Sequence, residues 1–295
     1  MGKRRKTLQE LTFKDNFMFA AVMLEEENAK GVVERALGIR IDHVEISYEK
    51  SIVYNPEYKG IRLDVYLKDD KNRYFNVEMQ VANTEIFKRS RYYHSQIDME
   101  LLSTGIDYEK LPESYVIFIC DFDPIGLGKY KYTRRQIIEE DLEYNYDDGS
   151  HTVFLSTVGT NENEVSQDLV KFLKYVGAEL EESNEDYSDE FVKQLQKSVE
   201  KIKLDREMGR RYMLFEELMK EEYNAGKEEG REEGREEASK SILIDLLCVI
   251  EPISDNLRSR ILSIEDIEAV MKLTVKAAKS DSIELFEKEL SKMGY

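Results

Sequence analysis

The sequence predicts an α/β protein with a mixed sheet, followed by a helical extension. Two observations predict the sheet: residues 61–81 alternate apolar and polar side chains in two runs, and residues 114–122 form one continuous apolar run. Strict alternation is typical of strands with one covered face, whereas a continuous apolar run suits a strand covered on both faces. A third observation predicts the extension, because from residue 164 onwards the apolar residues recur at helical spacing.

The predicted elements follow the order helix, three strands, helix, strand. The first helix covers residues 13–37 and ends at Gly38. The remaining core elements are a strand over 43–54, the two strands of 61–81, a helix over 84–105 and a strand over 114–122. Strand-like residues between 129 and 158 predict a peripheral hairpin with its turn at 145–149.

The two alternating runs of residues 61–81 predict a β-hairpin whose register can be derived. Residues 70–72 form a polar loop that ends in Asn, a residue that tolerates positive φ. A three-residue loop pairs Asp69 with Arg73, and this keeps both apolar sets on one face. Continuing the ladder places Asp64 directly opposite Glu78.

A pair of acidic side chains at this position predicts a cation site. Side chains in directly opposed strand positions have Cβ atoms about 4.5–5.5 Å apart, and like charges there repel each other. Gln80 follows Glu78 on the same face. A divalent metal with oxygen ligands would neutralise the pair. The alternative is that Asp64 and Glu78 are solvated residues on an exposed face.

Composition narrows the class of protein. The chain has 295 residues, of which 41% are hydrophobic and 35% charged, as in globular proteins. We expect a cytoplasmic protein without a membrane span, because no apolar run approaches ~20 residues and no apolar core follows the basic N-terminus. The two cysteines indicate neither a disulfide framework nor a zinc site.

The net charge of −18 argues against nucleic-acid binding by the chain as a whole. The acidic excess is uneven, however, since residues 151–240 contain 14 Lys and Arg against 23 Asp and Glu. Phosphate binding requires local positive charge and not a positive total. Charge alone therefore does not exclude a DNA-binding surface on the first half of the chain.

Asp64 followed by Glu78-Met79-Gln80 resembles the PD-(D/E)xK nuclease signature in its ExQ form. Four further segments narrow the resemblance: TFKDNFMF at 12–19, FKRSRYY at 87–93, SYVIFICDF at 114–122 and GKEEGREEGREE at 226–237. As a set they are similar to the Rpn family, the recombination-promoting nucleases also described as PD-(D/E)xK family transposases. The resemblance covers roughly residues 7–240. It implies a restriction-endonuclease-like αβββαβ core.

The resemblance also implies an activity and a cofactor. The expected activity is metal-dependent DNA endonuclease cleavage, linked to recombination or mobile elements. Mg²⁺, with Mn²⁺ as a substitute, would be held by Asp64, Glu78 and the carbonyl of Met79. Gln80 replaces the Lys of the commoner ExK form, and it can orient the attacking water but brings no positive charge. The alternative is an inactive nuclease that keeps the fold.

Two helices supply further candidate site residues. In these enzymes an acid from the first helix approaches the metal, and Asp15 matches that position; the alternative is a helix-start carboxylate stabilised by the amide dipole. Arg89 would grip a phosphate bidentately, and a neighbouring Tyr would bond the backbone or stack on a base. The alternative for this helix is an amphipathic surface with a solvated basic side. The DNA-binding candidates are Lys88, Arg89, Arg91, Tyr92 and Tyr93.

Three segments are expected along the chain: a nuclease-like domain over 1–176, a long charged helical connector over 177–240 and a small helical unit over 241–295. An apolar stripe from about residue 188 to 219 either joins copies into a homo-oligomer or docks on the chain's own core. Two other functions stay open beside a nuclease. They are an inactive nuclease-fold module that binds DNA or protein, and a helical oligomerising regulator.

Overall fold

The computed structural model of the chain describes residues 5–52, 61–83, 85–141, 144, 146–278, 280 and 282–295. Its first helical region differs from the predicted helix over 13–37, because two helices are present: α1 (Asn16–Met23) and α2 (Glu26–Leu37). The chain leaves helical geometry at Glu25, and the carbonyl of Val22 accepts the Nδ2–H of Asn28 at 3.0 Å. Asn28 also donates to Ser198, 170 residues away, so the break depends on tertiary packing. Gly38 ends α2 as predicted, with φ at 74°.

Three antiparallel strands follow: β1 (Val44–Ile52), β2 (Ile61–Asp69) and β3 (Tyr74–Gln80). The last two residues of the strand predicted over 43–54 lie outside the described residues. The predicted hairpin register is confirmed, because the N–H of Asp69 donates to the carbonyl of Arg73 at 3.0 Å and Val65 pairs with Val77. Asn72 adopts the positive φ expected of it, 60°.

Helix α3 (Ile86–Leu101) connects β3 to the parallel strand β4 (Ser114–Cys120). Two further strands are β5 (Lys131–Arg134) and β6 (Ser150–Ser156), which complete a sheet in the order β1-β2-β3-β4-β6-β5. The predicted hairpin is confirmed, because β5 and β6 pair antiparallel. Its peripheral position is wrong for β6, which lies inside the sheet and pairs in parallel with β4. The core order helix, three strands, helix, strand is confirmed.

The sheet has two distinct ends. The turn end contains residues 70–72 and the first residues of β4 and β6, because Tyr74, Ser114 and Ser150 are aligned across the parallel strands. The open end contains Asp64 and the last residues of β3, β4 and β6, where Gln80, Cys120 and Ser156 are aligned.

Helix α3 covers the sheet face from which Glu78 projects. Tyr93 and Ile97 of α3 pack with Val116 and Phe118 of β4 in one buried cluster. The alternation of β3 predicts a half-buried strand, but residues 75–79 are all buried. The polar face of β3 is thus covered by a helix that the local pattern does not reveal.

A second helical layer contains α1, α2, α4 (Gln167–Gly177) and α5 (Glu190–Leu204). Phe13 packs edge-on against Phe19 and Phe172. Helices α2 and α5 approach so closely that a Cβ atom on Gly31 would lie 2.2 Å from Cε2 of Phe191. No larger residue fits at position 31 without displacing this ring.

The chain divides into two compact units, Met1–Met213 and Leu214–Tyr295, and α6 (Arg206–Ile250) runs from one into the other. In the first unit, Tyr212 of α6 packs on Phe17 and donates its hydroxyl to the carbonyl of Lys6 at 2.8 Å. Part of the predicted apolar stripe thus docks on the chain's own core. The predicted boundaries at residues 176 and 240 stay a prediction.

The second unit has its own apolar core. Leu243, Leu247, Ile261 and Phe286 are fully buried in it. Its further helices are α7 (Asp255–Leu262), α8 (Ile267–Ala277) and α9 (Ile283–Lys292). In the described parts of both units, no helix is both long enough and apolar enough to cross a membrane.

Candidate active site

Asp64 and Glu78 meet where the pairing of β2 and β3 ends. The regular ladder stops at Val65–Val77, one step before these two residues. Beyond it, side chains replace backbone partners: the N–H of Asp64 donates to Oε1 of Glu78 at 3.2 Å, and the N–H of Met79 donates to Oδ2 of Asp64 at 3.4 Å. The two predicted acids are therefore brought together at the open end of the sheet.

Glu78 is almost completely buried, with 1% of its surface exposed. Burial is the main cause that raises the pKa of its carboxyl above the ordinary value, and the nearby charge of Asp64 adds to the increase. Oε1 accepts a second hydrogen bond from Nδ2 of Asn76 at 3.0 Å. Such a carboxylate is held in position but lacks full compensation of its charge.

Arg89 contacts this site directly and does not extend away from it. Its Nη2 lies 3.3 Å from Oε2 of Glu78 and 2.9 Å from Oη of Tyr93, and its Nη1 donates to Oε1 of Gln80 at 2.8 Å. Its Cζ atom lies 5.5 Å from the ring centroid of Tyr93 and 5.7 Å from that of Phe118. These two rings and these polar partners fix the guanidinium over β3.

The other DNA-binding candidates on α3 lie on different sides of the helix. Lys88 and Arg91 are exposed to solvent. Tyr92 packs against the buried cluster beneath α3, and Tyr93 is buried with its ring stacked on Phe118. The two basic residues are therefore accessible to a large partner, whereas Tyr93 supports Arg89.

Asp15 lies at the start of α1, as its N-cap residue. Its carboxylate accepts from the N–H of Thr12 at 2.7 Å and pairs with Nζ of Lys6 at 2.8 Å. The carboxylate therefore faces the segment before the helix and makes no capping hydrogen bond to the first turn of α1. A helix-start carboxylate stabilised by the amide dipole stays an alternative. A role for Asp15 at the metal stays a prediction.

The donor set at the open end fits a hard divalent cation in its chemistry. Asp64 and Glu78 supply carboxylate oxygens, and the backbone of Met79 faces β2 beyond the end of the ladder, on the side where its N–H meets Asp64. In the described part of the chain, no group of three or more His, Cys, Asp or Glu side chains is arranged to hold a metal. A cation here would therefore take its other ligands from the backbone, water or substrate, as Mg²⁺ commonly does.

Asn76 is the site residue that sequence reasoning missed. It is fully buried, it donates to Glu78, and its Oδ1 has no partner in the described part of the chain. The sequence does contain a signal for it. Asn76 alternates with apolar residues along β3 and therefore lies on the same face of the strand as Glu78 and Gln80. Buried polar atoms without a partner are rare in folded proteins, and this one lies beside the buried acid Glu78, so Asn76 joins the candidate site.

Comparison with known proteins agrees with this geometry. Residues 14–228 match the family described as PD-(D/E)XK nuclease family transposase. A search of curated proteins gave no match. A search of solved structures also gave none. Because the family match spans most of the chain and includes the paired acids at the open end of the sheet, this chain belongs to the PD-(D/E)XK nuclease family of transposases.

Proposed function

We propose that the chain is a divalent-metal-dependent DNA endonuclease that uses Mg²⁺, with Mn²⁺ as a substitute. The single observation that carries the proposal is that Asp64 and Glu78 lie side by side where the pairing of β2 and β3 ends. Two acids side by side, one of them buried, are costly unless a cation completes the site. Membership of a nuclease family supports a phosphodiester as the substrate and a divalent metal as the cofactor.

Each residue of the site has a proposed part in hydrolysis. Asp64, Glu78 and the carbonyl of Met79 would hold the cation. A bound Mg²⁺ supplies Lewis acidity at the phosphate and eases deprotonation of the attacking water. Gln80 orients that water or a phosphate oxygen by hydrogen bonding. One P–O bond forms to the water oxygen, the ester P–O bond breaks, and the proton passes to the leaving alkoxide.

The outer surface of α3 is the proposed DNA contact. Lys88 and Arg91 are exposed near the helix start, close in sequence to Arg89, which reaches the site. Arg134 of β5 reaches the same helix, because its Nη1 donates to Oγ of Ser90 at 3.1 Å. Local positive charge of this kind holds the phosphate backbone without reading sequence. Assembly into a homo-oligomer through the C-terminal helices stays a proposal, as does a part in recombination or mobile-element movement.

The test is cleavage of supercoiled and linear DNA by the purified chain with Mg²⁺, Mn²⁺ or EDTA. We expect cleavage with either metal and none with EDTA. Asp64→Asn and Glu78→Gln should both abolish it, whereas the matched control Glu45→Gln, an exposed acid on β1, should cleave like the wild type.

Other outcomes would favour the rival functions. No cleavage with any metal by a folded protein that still binds DNA would support an inactive nuclease-fold module, and Gln80 in place of Lys is the feature that favours this reading. Loss of assembly on truncation at residue 187, with no effect on DNA, would support a helical oligomerising regulator.

A further inference from the structure

The contacts of Gln80 determine which end of its amide is available. Its Oε1 accepts from Nη1 of Arg89 at 2.8 Å, so the carbonyl end of the amide is engaged. The Nε2 group, which can only donate, is therefore turned away from the guanidinium. The side chain that ends the Glu78-Met79-Gln80 triplet thus uses its carbonyl for Arg89, which leaves the Nε2 donors for another partner.

Arg89 adds to the Glu78-Met79-Gln80 triplet the positive charge that a glutamine lacks. A lysine at position 80 would supply both N–H donors and a positive charge, whereas a glutamine supplies N–H donors without the charge. The Arg89 guanidinium carries a permanent charge and lies within hydrogen-bond distance of Gln80 and Glu78 together. The rings of Tyr93 and Phe118 lie beneath it and hold it there.

We infer that Arg89 and Gln80 act as one unit that replaces the lysine of the ExK form, with Arg89 as a positioning residue that fixes the Gln80 amide and supplies the missing charge. The inference rests on the proposed nuclease function and makes it more specific. It assigns Arg89 inward, to the triplet, whereas phosphate gripping by this residue would require its fork to be free for DNA.

The test is a rescue experiment with four variants: Arg89→Met, Gln80→Lys, the double variant carrying both changes, and Arg89→Lys. We expect Arg89→Met to lower the cleavage rate by about 10²–10³-fold, the size of effect seen when one preorganised donor is removed. Gln80→Lys should cleave within tenfold of the wild type. The double variant should match Gln80→Lys, because a lysine at position 80 makes the guanidinium unnecessary.

Arg89→Lys protects the test against misfolding, since it keeps a charge over Glu78 but loses the fork that reaches Gln80. We expect it to fold and to cleave at an intermediate rate. Arg40→Met is the matched control, an exposed arginine outside the site, and it should cleave like the wild type in either Gln80 background.

Metal binding gives a second readout that does not require turnover. Titration calorimetry with Mg²⁺ alone should show tighter binding by Arg89→Met than by the wild type, because a cation beside Glu78 is removed. The same titration should show weaker Mg²⁺ binding by Gln80→Lys than by the wild type, because this change adds a positive charge next to Glu78. If the ion pair of Arg89 with Glu78 were purely structural, the double variant would cleave as slowly as Arg89→Met. That result would overturn the inference.

Failure of the inference differs from failure of the proposed function. A wild type that cleaves, with a loss in Arg89→Met that Gln80→Lys does not rescue, overturns the inference and leaves the nuclease intact. A wild type that never cleaves overturns the proposed function. Cleavage by Gln80→Lys alone, from an inactive wild type, would show that Arg89 does not replace the lysine.

Discussion

The two ends of the central sheet hold buried polar groups in opposite ways. At the turn end, Asp69 accepts the N–H of Lys71 at 3.0 Å and that of Arg73 at 2.8 Å, and it pairs with Nε of Arg73 at 2.7 Å. At this end the buried acidic side chain, Asp69, forms an ion pair with a single basic side chain, Arg73. At the open end, Glu78 faces a second acid, Asp64, and shares Arg89 with Gln80.

This difference separates groups that stabilise the fold from groups that are poised for a ligand. A buried ion pair with all its partners is costly to break, whereas an excess of like charge is relieved when a cation binds or a charge is removed. The same kind of residue, a buried carboxylate in one hairpin, therefore has two meanings. Which of the two applies depends on whether other groups of the chain fully compensate the negative charge of the carboxylate.

The largest expected effect is on cleavage. Glu78→Gln should lower the cleavage rate by about 10³-fold or more, because metal-assisted hydrolysis depends on several kcal/mol of charge stabilisation. Asp69→Asn, the equivalent change at the turn end, should retain cleavage at a temperature where it is folded. Plasmid nicking rates measure both. Equal losses in the two variants would break the distinction between the ends.

Stability should respond in the reverse order. Asp69→Asn should lower the free energy of unfolding by about 3 kcal/mol, since it leaves the partly buried base Arg73 without its buried anion. Glu78→Gln should raise it by about 1 kcal/mol without metal at neutral pH, because burial and Asp64 disfavour the charged form. Urea denaturation of both variants in EDTA tests the signs. A large loss in Glu78→Gln would assign that acid to the fold.

The turn end also predicts a pH dependence. His94 lies buried between Oγ of Ser114 at 2.9 Å and Oγ1 of Thr152 at 3.1 Å, and burial lowers the pKa of its imidazole to about 4. The unfolded chain binds this proton near pH 6.5 and the folded chain does not, so stability falls as the pH falls through that window. Between pH 7.5 and pH 5 the loss due to His94 should be about 2 kcal/mol.

His94→Gln isolates this contribution, because an amide can hydrogen-bond to both hydroxyls without titrating. Chemical denaturation at the two pH values should show a smaller difference for the variant than for the wild type. Identical pH dependence in the two proteins would show that His94 becomes protonated in the folded state.

The smallest expected effect is on DNA binding. Lys88→Gln and Arg91→Gln, both on the exposed surface of α3, should each reduce the slope of log K against log salt by about 1. Fluorescence anisotropy in Ca²⁺ at several salt concentrations measures it. Lys110→Gln, an exposed lysine beyond the end of α3, is the control and should leave the slope unchanged.

Local pattern was sufficient for the hairpin and insufficient for what covers it. A three-residue loop and period-two alternation determined the pairing of Val65 with Val77, and from it the meeting of Asp64 with Glu78. The same alternation predicted an exposed polar face. This prediction failed because the spacing of residues within β3 does not show that α3 packs over the polar face and brings Arg89 to Glu78.

Two other differences have the same origin in long-range contacts. The break between α1 and α2 depends on Asn28, which bonds Ser198 of α5. The position of β6 inside the sheet depends on parallel pairing with β4 across 36 residues, as between Ser114 and Ser150. In both cases the deciding partner lies too far along the sequence for a local pattern to record it.

The close approach of α2 and α5 has a consequence for genetics. Because a methyl group at Gly31 would collide with the ring of Phe191, Gly31→Ala should yield a temperature-sensitive allele with its open end chemically unchanged. Glu78→Gln gives the complementary allele, present in full amount but chemically silent. A cell carrying one or the other would separate phenotypes that follow from losing the polypeptide from those that follow from losing its chemistry.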